Sequence, residues 1–297
     1  MIDQSHRNTI FVEDAKILRH AAFDGDQYIL KLAAPKTAKN ALPGSFVHLQ
    51  CDDLLPMRRP MSLMRVDANK GEVDILYKKH GHGTALLAQR KEGESLSLMG
   101  PIGIPFKLEN YKRKPLLIGG GVGLPPMVFL AEHLKDYAKK FKQDLSPFVI
   151  MGSEVPFPFT TKPSQIMIDG MPDGVIATMP LMEDWNIACR LTSLQGYAGC
   201  HEGYVTDLAR CWLDAMNAEQ RSEVEIFSCG PTPMLKAVKA LAAEYDLPCQ
   251  VSLEEYMACA VGGCAGCVVE IETENGSAMK RVCVDGPIFE ASTVVFP

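Results

Sequence analysis

The stretch Pro115-Leu116-Leu117-Ile118-Gly119-Gly120-Gly121-Val122-Gly123-Leu124-Pro125 runs from a short apolar segment through a glycine turn into a proline that suits a helix's first turn. Strand, tight turn and helix in that order form the opening unit of an open parallel sheet. The glycines do not follow G-x-G-x-x-G, so this is not the usual dinucleotide fingerprint. Backbone N–H groups at a helix start nevertheless suit a phosphate, which makes Gly119, Gly120, Gly121 and Gly123 candidates for holding a nucleotide. Close packing is the other use such glycines have.

Downstream, the alternation of strands and helices continues. A helix is expected from 125 to about 140, a strand at 148–151, and another at 223–227 that ends in Ser228-Cys229-Gly230-Pro231. Met234, Leu235, Val238, Leu241, Ala242 and Tyr245 then form one helical stripe. Open α/β sheets hold their ligands at the carboxyl ends of their strands, so Cys229, Gly230 and Pro231 are candidate ligand contacts. The Cys229 thiol reads equally as a plain buried group. Residues 153–200 show little period and are read as an insertion without an assigned role.

Upstream, short runs at 28–32, 46–50, 62–66 and 73–77 are separated by Asp24-Gly25-Asp26, Pro43-Gly44 and Asn69-Lys70-Gly71. Many short strands with regular punctuation predict a closed antiparallel barrel. One helix is expected just after Gly83, behind a capping Thr84. Arg59-Pro60-Met61-Ser62 offers a guanidinium for a pyrophosphate and a hydroxyl for a ring edge, although taken alone it also fits a surface arginine at a strand start. In Tyr77-Lys78-Lys79-His80-Gly81-His82-Gly83-Thr84, Gly83 and Thr84 would present N–H groups to an anion and Tyr77 could stack on a ring. His80 and His82 have no ligand-type neighbours and read as a solvated loop.

The C-terminal part holds Cys259-Ala-Val-Gly-Gly-Cys264-Ala-Gly-Cys267, with Cys283 following after fifteen intervening residues. C-x4-C-x2-C plus one distant cysteine is the plant-type [2Fe–2S] spacing. The small residues between the ligands let the backbone curl and aim N–H groups at sulfur. The alternatives are structural zinc, which usually adds a second C-x2-C or an H-x3–5-H, and plain buried thiols. Strands are expected at 268–271 and 279–283, joined by an Asn275-Gly276 turn, with Cys283 arriving on the second strand.

Composition narrows the classes. The chain has 297 residues, 47% hydrophobic and 22% charged, with a formal net charge of −6, which gives no reason to expect nucleic acid. No run approaches the roughly 18 apolar residues of a membrane span, and residues 1–8 lack the apolar core of an export signal. Ten cysteines without such a signal point to a reducing, cytoplasmic setting and away from disulfides. Apart from Cys229 and the four loop cysteines, the thiols read as small buried hydrophobes.

Together these segments resemble the ferredoxin–NADP reductase superfamily, and within it the electron-transfer subunits of class 1B dihydroorotate dehydrogenases. The likeness runs through Arg58-Arg59-Pro60-Met61-Ser62, Tyr77 to Thr84, Gly100-Pro-Ile-Gly103, Gly119 to Gly123, Ser228 to Pro231, Leu253 to Cys259 and Val282 to Pro287. Lys78 stands where that family often has arginine. The resemblance implies a multi-domain chain: an FAD-binding β-barrel at 1–112, an α/β NAD-binding domain with a parallel sheet at 113–250, and a small [2Fe–2S] domain at 251–297. It implies FAD on Arg59, Pro60, Met61, Ser62, Tyr77, Lys78, Lys79, Gly83 and Thr84. NAD(H) would lie on the glycine turn and near Cys229, Gly230 and Pro231, and the cluster on Cys259, Cys264, Cys267 and Cys283. The implied partner is a separate FMN-containing catalytic subunit, two of each chain forming a heterotetramer in pyrimidine synthesis. A related reductase serving a hydrogenase or ferredoxin-linked partner is the alternative, and a subunit with structural zinc and a regulatory nucleotide site is a third reading.

Overall fold

The computed structural model describes residues 10–297, so the N-terminal stretch read above for an export signal lies outside the described residues. Strands β1 (Phe11–Phe23), β2 (Gln27–Ala33), β3 (Phe46–Leu49), β4 (Arg59–Asp67), β5 (Glu72–Lys78) and β6 (Ser95–Ile102) close an antiparallel barrel in the order β1-β2-β5-β4-β3-β6. Helix α1 (Pro35–Asn40) links β2 to β3, and α2 (Gly81–Leu87) links β5 to β6. Alternation along the strands turns Leu30, Leu32, Val47, Leu49, Leu63, Ile75 and Leu98 into the barrel, where each is fully buried. Burial of one such side chain contributes about 1.5–3 kcal/mol, so the period-two pattern stabilises the closed form strongly.

The helix after β5 starts earlier than expected. Its N-cap is His80, not Thr84, and Gly81 at φ +74 makes the entry. The Thr84 hydroxyl sits one turn in, donating to the His80 carbonyl at 2.7 Å and accepting from the His80 N–H at 2.7 Å.

The second body alternates strand and helix: β7 (Lys114–Gly120), α3 (Leu124–Phe141), β8 (Phe148–Gly152), a small pair β9 (Lys162–Pro163) and β10 (Ala177–Thr178), then α4 (Pro180–Asp184), β11 (Ala188–Thr192), α5 (Val205–Asp214), α6 (Ala218–Ser222), β12 (Val224–Cys229), α7 (Thr232–Glu244) and β13 (Cys249–Ser252). On α7 the expected stripe holds in part: Leu235, Val238, Leu241 and Ala242 are buried, whereas Met234 and Tyr245 stay half-buried at its margins. After the cysteine loop come β14 (Val268–Thr273), β15 (Gly276–Arg281), α8 (Val282–Asp285), β16 (Ile288–Glu290) and β17 (Val294–Val295). The main sheet runs β11-β8-β7-β12-β13-β16, parallel except for β16, which pairs antiparallel with β13. Its strand order changes direction between β7 and β12, the crevice where such sheets bind ligands.

Three expectations change here. Ala188–Thr192, inside the supposed insertion, is the edge strand of the main sheet and pairs with β8. Arg190 interrupts its apolar run, yet it is buried and donates to the carbonyls of Val175, Cys189 and Ile166, which satisfies the charge without an acidic partner. The hairpin after the cysteine loop turns at Glu274-Asn275, because Gly276 already pairs with Thr273. Cys283 lies in the short helix α8, not in the preceding strand.

Barrel and sheet share packing. Phe129 of α3 joins the barrel core, while Met64 and Leu76 of the barrel pack with Met127 and Val128 of α3. Arg65 on β4 pairs with Glu132 on α3 at 2.8 Å, and the Gln27 amide donates to the Pro156 carbonyl at 2.6 Å. Among the described residues no helix is long and apolar enough to cross a membrane.

Candidate functional site

The cysteine loop reverses repeatedly: Ala260 (φ +54), Gly262 (φ +83) and Ala265 (φ +52) all adopt left-handed backbone, which L residues enter only at a cost. That curl aims amides at sulfur. The Cys264 N–H donates to the Cys259 thiol at 3.4 Å, and the Gly266 N–H to Cys264 at 3.4 Å. Partial burial pushes the Cys259 thiol upward, but N–H groups of Val261, Cys264 and Gly263 and the Cys264 thiol outweigh it, lowering Cys259 to about 7. Burial raises Cys283 to about 12, helped by its neighbour Cys267.

Cys259 and Cys264 therefore lie beside each other, as do Cys283 and Cys267. Among the described residues no three His, Cys, Asp or Glu side chains converge on a single ion position. A two-iron cluster asks for two thiolates at each iron, and two thiol pairs lined by N–H donors fit that demand. Cys267 and Cys283 are buried while Cys264 is exposed, so one side of the loop opens to solvent.

On the barrel, β4 turns Met61 into the core, which leaves Pro60 and Ser62 on the outer face. Met61, expected at a cofactor, therefore offers only backbone. The Arg59 guanidinium rests over Gly83: a Cβ there would come within 2.9 Å of Arg59 Nε. Among the described residues Arg59 has no acidic partner, and the first turn of α2 carries no acidic residue. A cation and the first turn of a helix, facing each other without a counter-charge, fit the pyrophosphate of FAD.

Other expected FAD contacts are differently employed. Tyr77 is buried, stacks on Tyr28 at 5.2 Å and meets His20 Nε2 through its hydroxyl at 2.8 Å, so its ring belongs to the barrel and not to a ligand. Lys79 pairs with Asp26 at 2.5 Å, which closes the β1–β2 turn onto β5. The Thr84 hydroxyl is taken by His80, as described, whereas Lys78 is exposed at the strand end.

In the sheet crevice, the two uses of the glycines separate by position. A Cβ on Gly119 would press Met127, one on Gly120 would meet Met234, and one on Gly123 would overlap the Cys229 carbonyl. Gly230 is likewise packed on Met234, and Pro231 caps α7. Only Gly121 (φ +55) faces open space. Pro125 and Pro126 lack N–H groups, so donors for a phosphate come from the turn rather than from α3 itself. These features fit a pyrophosphate laid over Gly121.

The Cys229 thiol is fully buried at the end of β12 and approaches Glu254 Oε1 at 3.8 Å. Burial pushes this thiol well up, and Glu254 adds to the effect. Glu254 is an exposed residue whose carboxyl approaches Cys229, and desolvation there raises its pKa. Glu254 escaped the sequence reading as a site residue. The parallel register Cys229↔Ser252 sets it two residues past the partner of Cys229, within reach of that thiol, and the only signal was the acidic pair Glu254-Glu255 just ahead of the cysteine loop.

Residues 254–295 match the iron–sulfur cluster binding domain of dihydroorotate dehydrogenase B. The chain is 32% identical over 289 residues to the "Dihydroorotate dehydrogenase B (NAD(+)), electron transfer subunit" of Desulforamulus reducens, covering 96% of this chain and 98% of that one. A relative of the same description from Geobacillus sp. is 33% identical, covering 95% of this chain and 98% of its own. Among solved structures, one described as an NADH-dependent reduced ferredoxin-NADP oxidoreductase in flavin-based electron bifurcation superposes with a TM-score of 0.75 at 25% identity, over 96% of this chain and 90% of that chain. A ferredoxin reductase of carbazole 1,9a-dioxygenase shares the fold, with a TM-score of 0.60 at 22% identity, over 80% of this chain and 67% of its own. With barrel, switch-point crevice and cysteine loop all in place, the chain belongs to the family of electron transfer subunits of dihydroorotate dehydrogenase B.

Proposed function

We propose that this chain carries electrons between an FMN-containing dihydroorotate dehydrogenase subunit and NAD(H), as an oxidoreductase component in pyrimidine synthesis. The observation that carries the reading is the cysteine loop, with two thiol pairs and N–H groups aimed at sulfur, on a chain that also has the Arg59–Gly83 anion site and the sheet crevice. FAD, when bound, exchanges a hydride with nicotinamide and single electrons with an iron–sulfur centre, so it belongs between the two.

The chain's own residues then divide the work. Arg59, Gly83 and the first turn of α2 hold the FAD pyrophosphate, and Pro60 and Ser62 present the outer barrel face to its ring. Gly121 receives the dinucleotide phosphates, while Cys229 and Glu254 line the nicotinamide end of the crevice. Cys259, Cys264, Cys267 and Cys283 hold the [2Fe–2S] cluster. The working division is 1–112 for FAD, 113–250 for NAD and 251–297 for the cluster. The partner docks where Tyr256, Val261 and Cys264 are exposed beside the loop, two copies of each chain forming a cytoplasmic heterotetramer.

An absorbance spectrum of anaerobically purified protein, before and after NADH, tests this. Flavin bands and a cluster shoulder that both bleach support the relay, and flavin without a cluster signal overturns the role of the cysteines. The likeness to the NADH-dependent ferredoxin-NADP oxidoreductase favours a second reading, with a ferredoxin-linked partner. Co-purification of an FMN protein that oxidises dihydroorotate decides between them.

A further inference from the structure

Val47 and Leu49 of β3 point into the barrel, so Phe46 and His48 point outward. In register with them on β4 stand Ser62, opposite Phe46, and Pro60, opposite His48. Phe46, His48, Pro60 and Ser62 thus share one face of the barrel, which is the face assigned above to the flavin ring. The same face also meets the C-terminal segment. Phe46 packs in one apolar cluster with Ala260, Cys267, Cys283, Val282 and Val284, and Met257 and Met99 pack against that cluster. Met99 is the β6 partner of His48.

His48 is 1% exposed, and neither ring nitrogen has a hydrogen-bond partner among the described residues. The ring lies near the backbone carbonyls of Met257 and Arg58, without a well-formed bond to either. Burial, together with Arg58 and Arg59, holds its pKa down at about 4, so the ring is neutral and has one donor and one acceptor nitrogen. The barrel side of this seam is fixed: Arg58 donates to the Ser97 carbonyl at 2.6 Å and to the Ser97 hydroxyl at 2.8 Å. A buried donor facing a carbonyl two residues before Cys259 is free to form one bond across the seam.

We infer that His48 is a positioning residue whose ring N–H donates to the Met257 carbonyl when the cysteine loop closes on its metal centre, setting the separation between flavin face and cluster. This rests on the reading of the four cysteines as cluster ligands. Outer hydrogen bonds of this kind tune both placement and potential of a metal centre. A phenylalanine would fill the volume without a donor, and a glutamine would supply an N–H at comparable reach.

The test uses the full chain carrying FAD and cluster, as the parent, His48→Phe and His48→Gln. Cluster potential is followed by electron paramagnetic resonance, and flavin and cluster reduction by NADH are followed separately by stopped flow. The expected result for His48→Phe is cluster reduction slowed about tenfold more than flavin reduction, together with a displaced cluster potential. His48→Gln should recover most of both. Parent-like cluster behaviour in His48→Phe overturns the inference, as do equal losses in the two variants. A parent chain that binds FAD but never shows a cluster signal overturns the reading beneath it instead.

Discussion

Gly83 separates folding from cofactor binding, because the atom that a side chain would strike there belongs to the end of Arg59. An alanine Cβ would stand 2.9 Å from Arg59 Nε and 3.1 Å from both Cζ and Nη2, so the guanidinium must retreat by several tenths of an ångström. The backbone need not move, since Gly83 lies within α2 and does not have a positive φ. In a helix, glycine to alanine gains about 1 kcal/mol, so the flavin-free Gly83→Ala chain should melt no lower than its parent. The displaced guanidinium, however, loses alignment with the pyrophosphate. A charge-assisted hydrogen bond contributes about 1.5–3 kcal/mol, and losing roughly half of it weakens FAD by about fivefold. Arg59→Ala, which removes the bond entirely, should weaken FAD by roughly 10- to 100-fold. Fluorescence titration of flavin-free protein with FAD, beside a thermal melt, measures both effects. Unchanged FAD affinity in Gly83→Ala, with Arg59→Ala also unaffected, would refute the placement of the pyrophosphate between these two residues.

Cys264→Ala should abolish the cluster signal and leave flavin content and its reduction by NADH intact, as read by absorbance and resonance spectra. In the metal-free chain, Cys259 should be alkylated before the other loop thiols. Its lowered pKa makes thiolate available above about pH 7, and labelling should slow as pH falls below that value, while Cys283, raised to about 12 and buried, stays unlabelled. Lys107→Met should destabilise the chain by about 2–3 kcal/mol in a denaturant melt. Glu225 would lose its ion-pair partner inside the protein, the cost being tempered because Lys107 is about one-third exposed and the Lys112 N–H still donates to that carboxylate at 2.7 Å. Gly123→Ala should yield insoluble protein, because its Cβ would overlap the fixed Cys229 backbone, and soluble expression at parental level would contradict that packing.

What the residues announce and what they conceal follows the range of the forces involved. Strands with period two and glycine turns between them, such as β4 and β5 with Gly71 at φ +70, are local properties, and the barrel was legible from them. The cysteine spacing was equally local. Edge strand β11 was hidden because Arg190 reads as a surface residue until three distant carbonyls enclose it. Glu254 acquires its neighbour Cys229 only through the register of β12 with β13. Tyr77 offered a free ring on paper, but the pairing Tyr28↔Tyr77 stacks it inside the barrel. The glycines of the turn were readable as a group but not one by one, since packing by Met127, Met234 and Cys229 decides which of them faces open space.

The return of the chain as β16 has an architectural consequence. The segment that carries the cysteines leaves the main sheet at the end of β13 and rejoins it on the adjacent strand, with Ser252 paired to Ile288. Neighbouring strands lie about 4.8 Å apart, so the whole excursion is an outsized hairpin loop whose two ends almost touch. Exchanging it for a short turn would leave every strand of the main sheet with its partners, and only β17 would lose the strand it pairs with, β14. The iron-binding portion is thus joined to the sheet at one point: exchanging it there breaks no strand pair of the main sheet, but it uncovers Phe46 and Ile102 of the barrel, which share its apolar cluster.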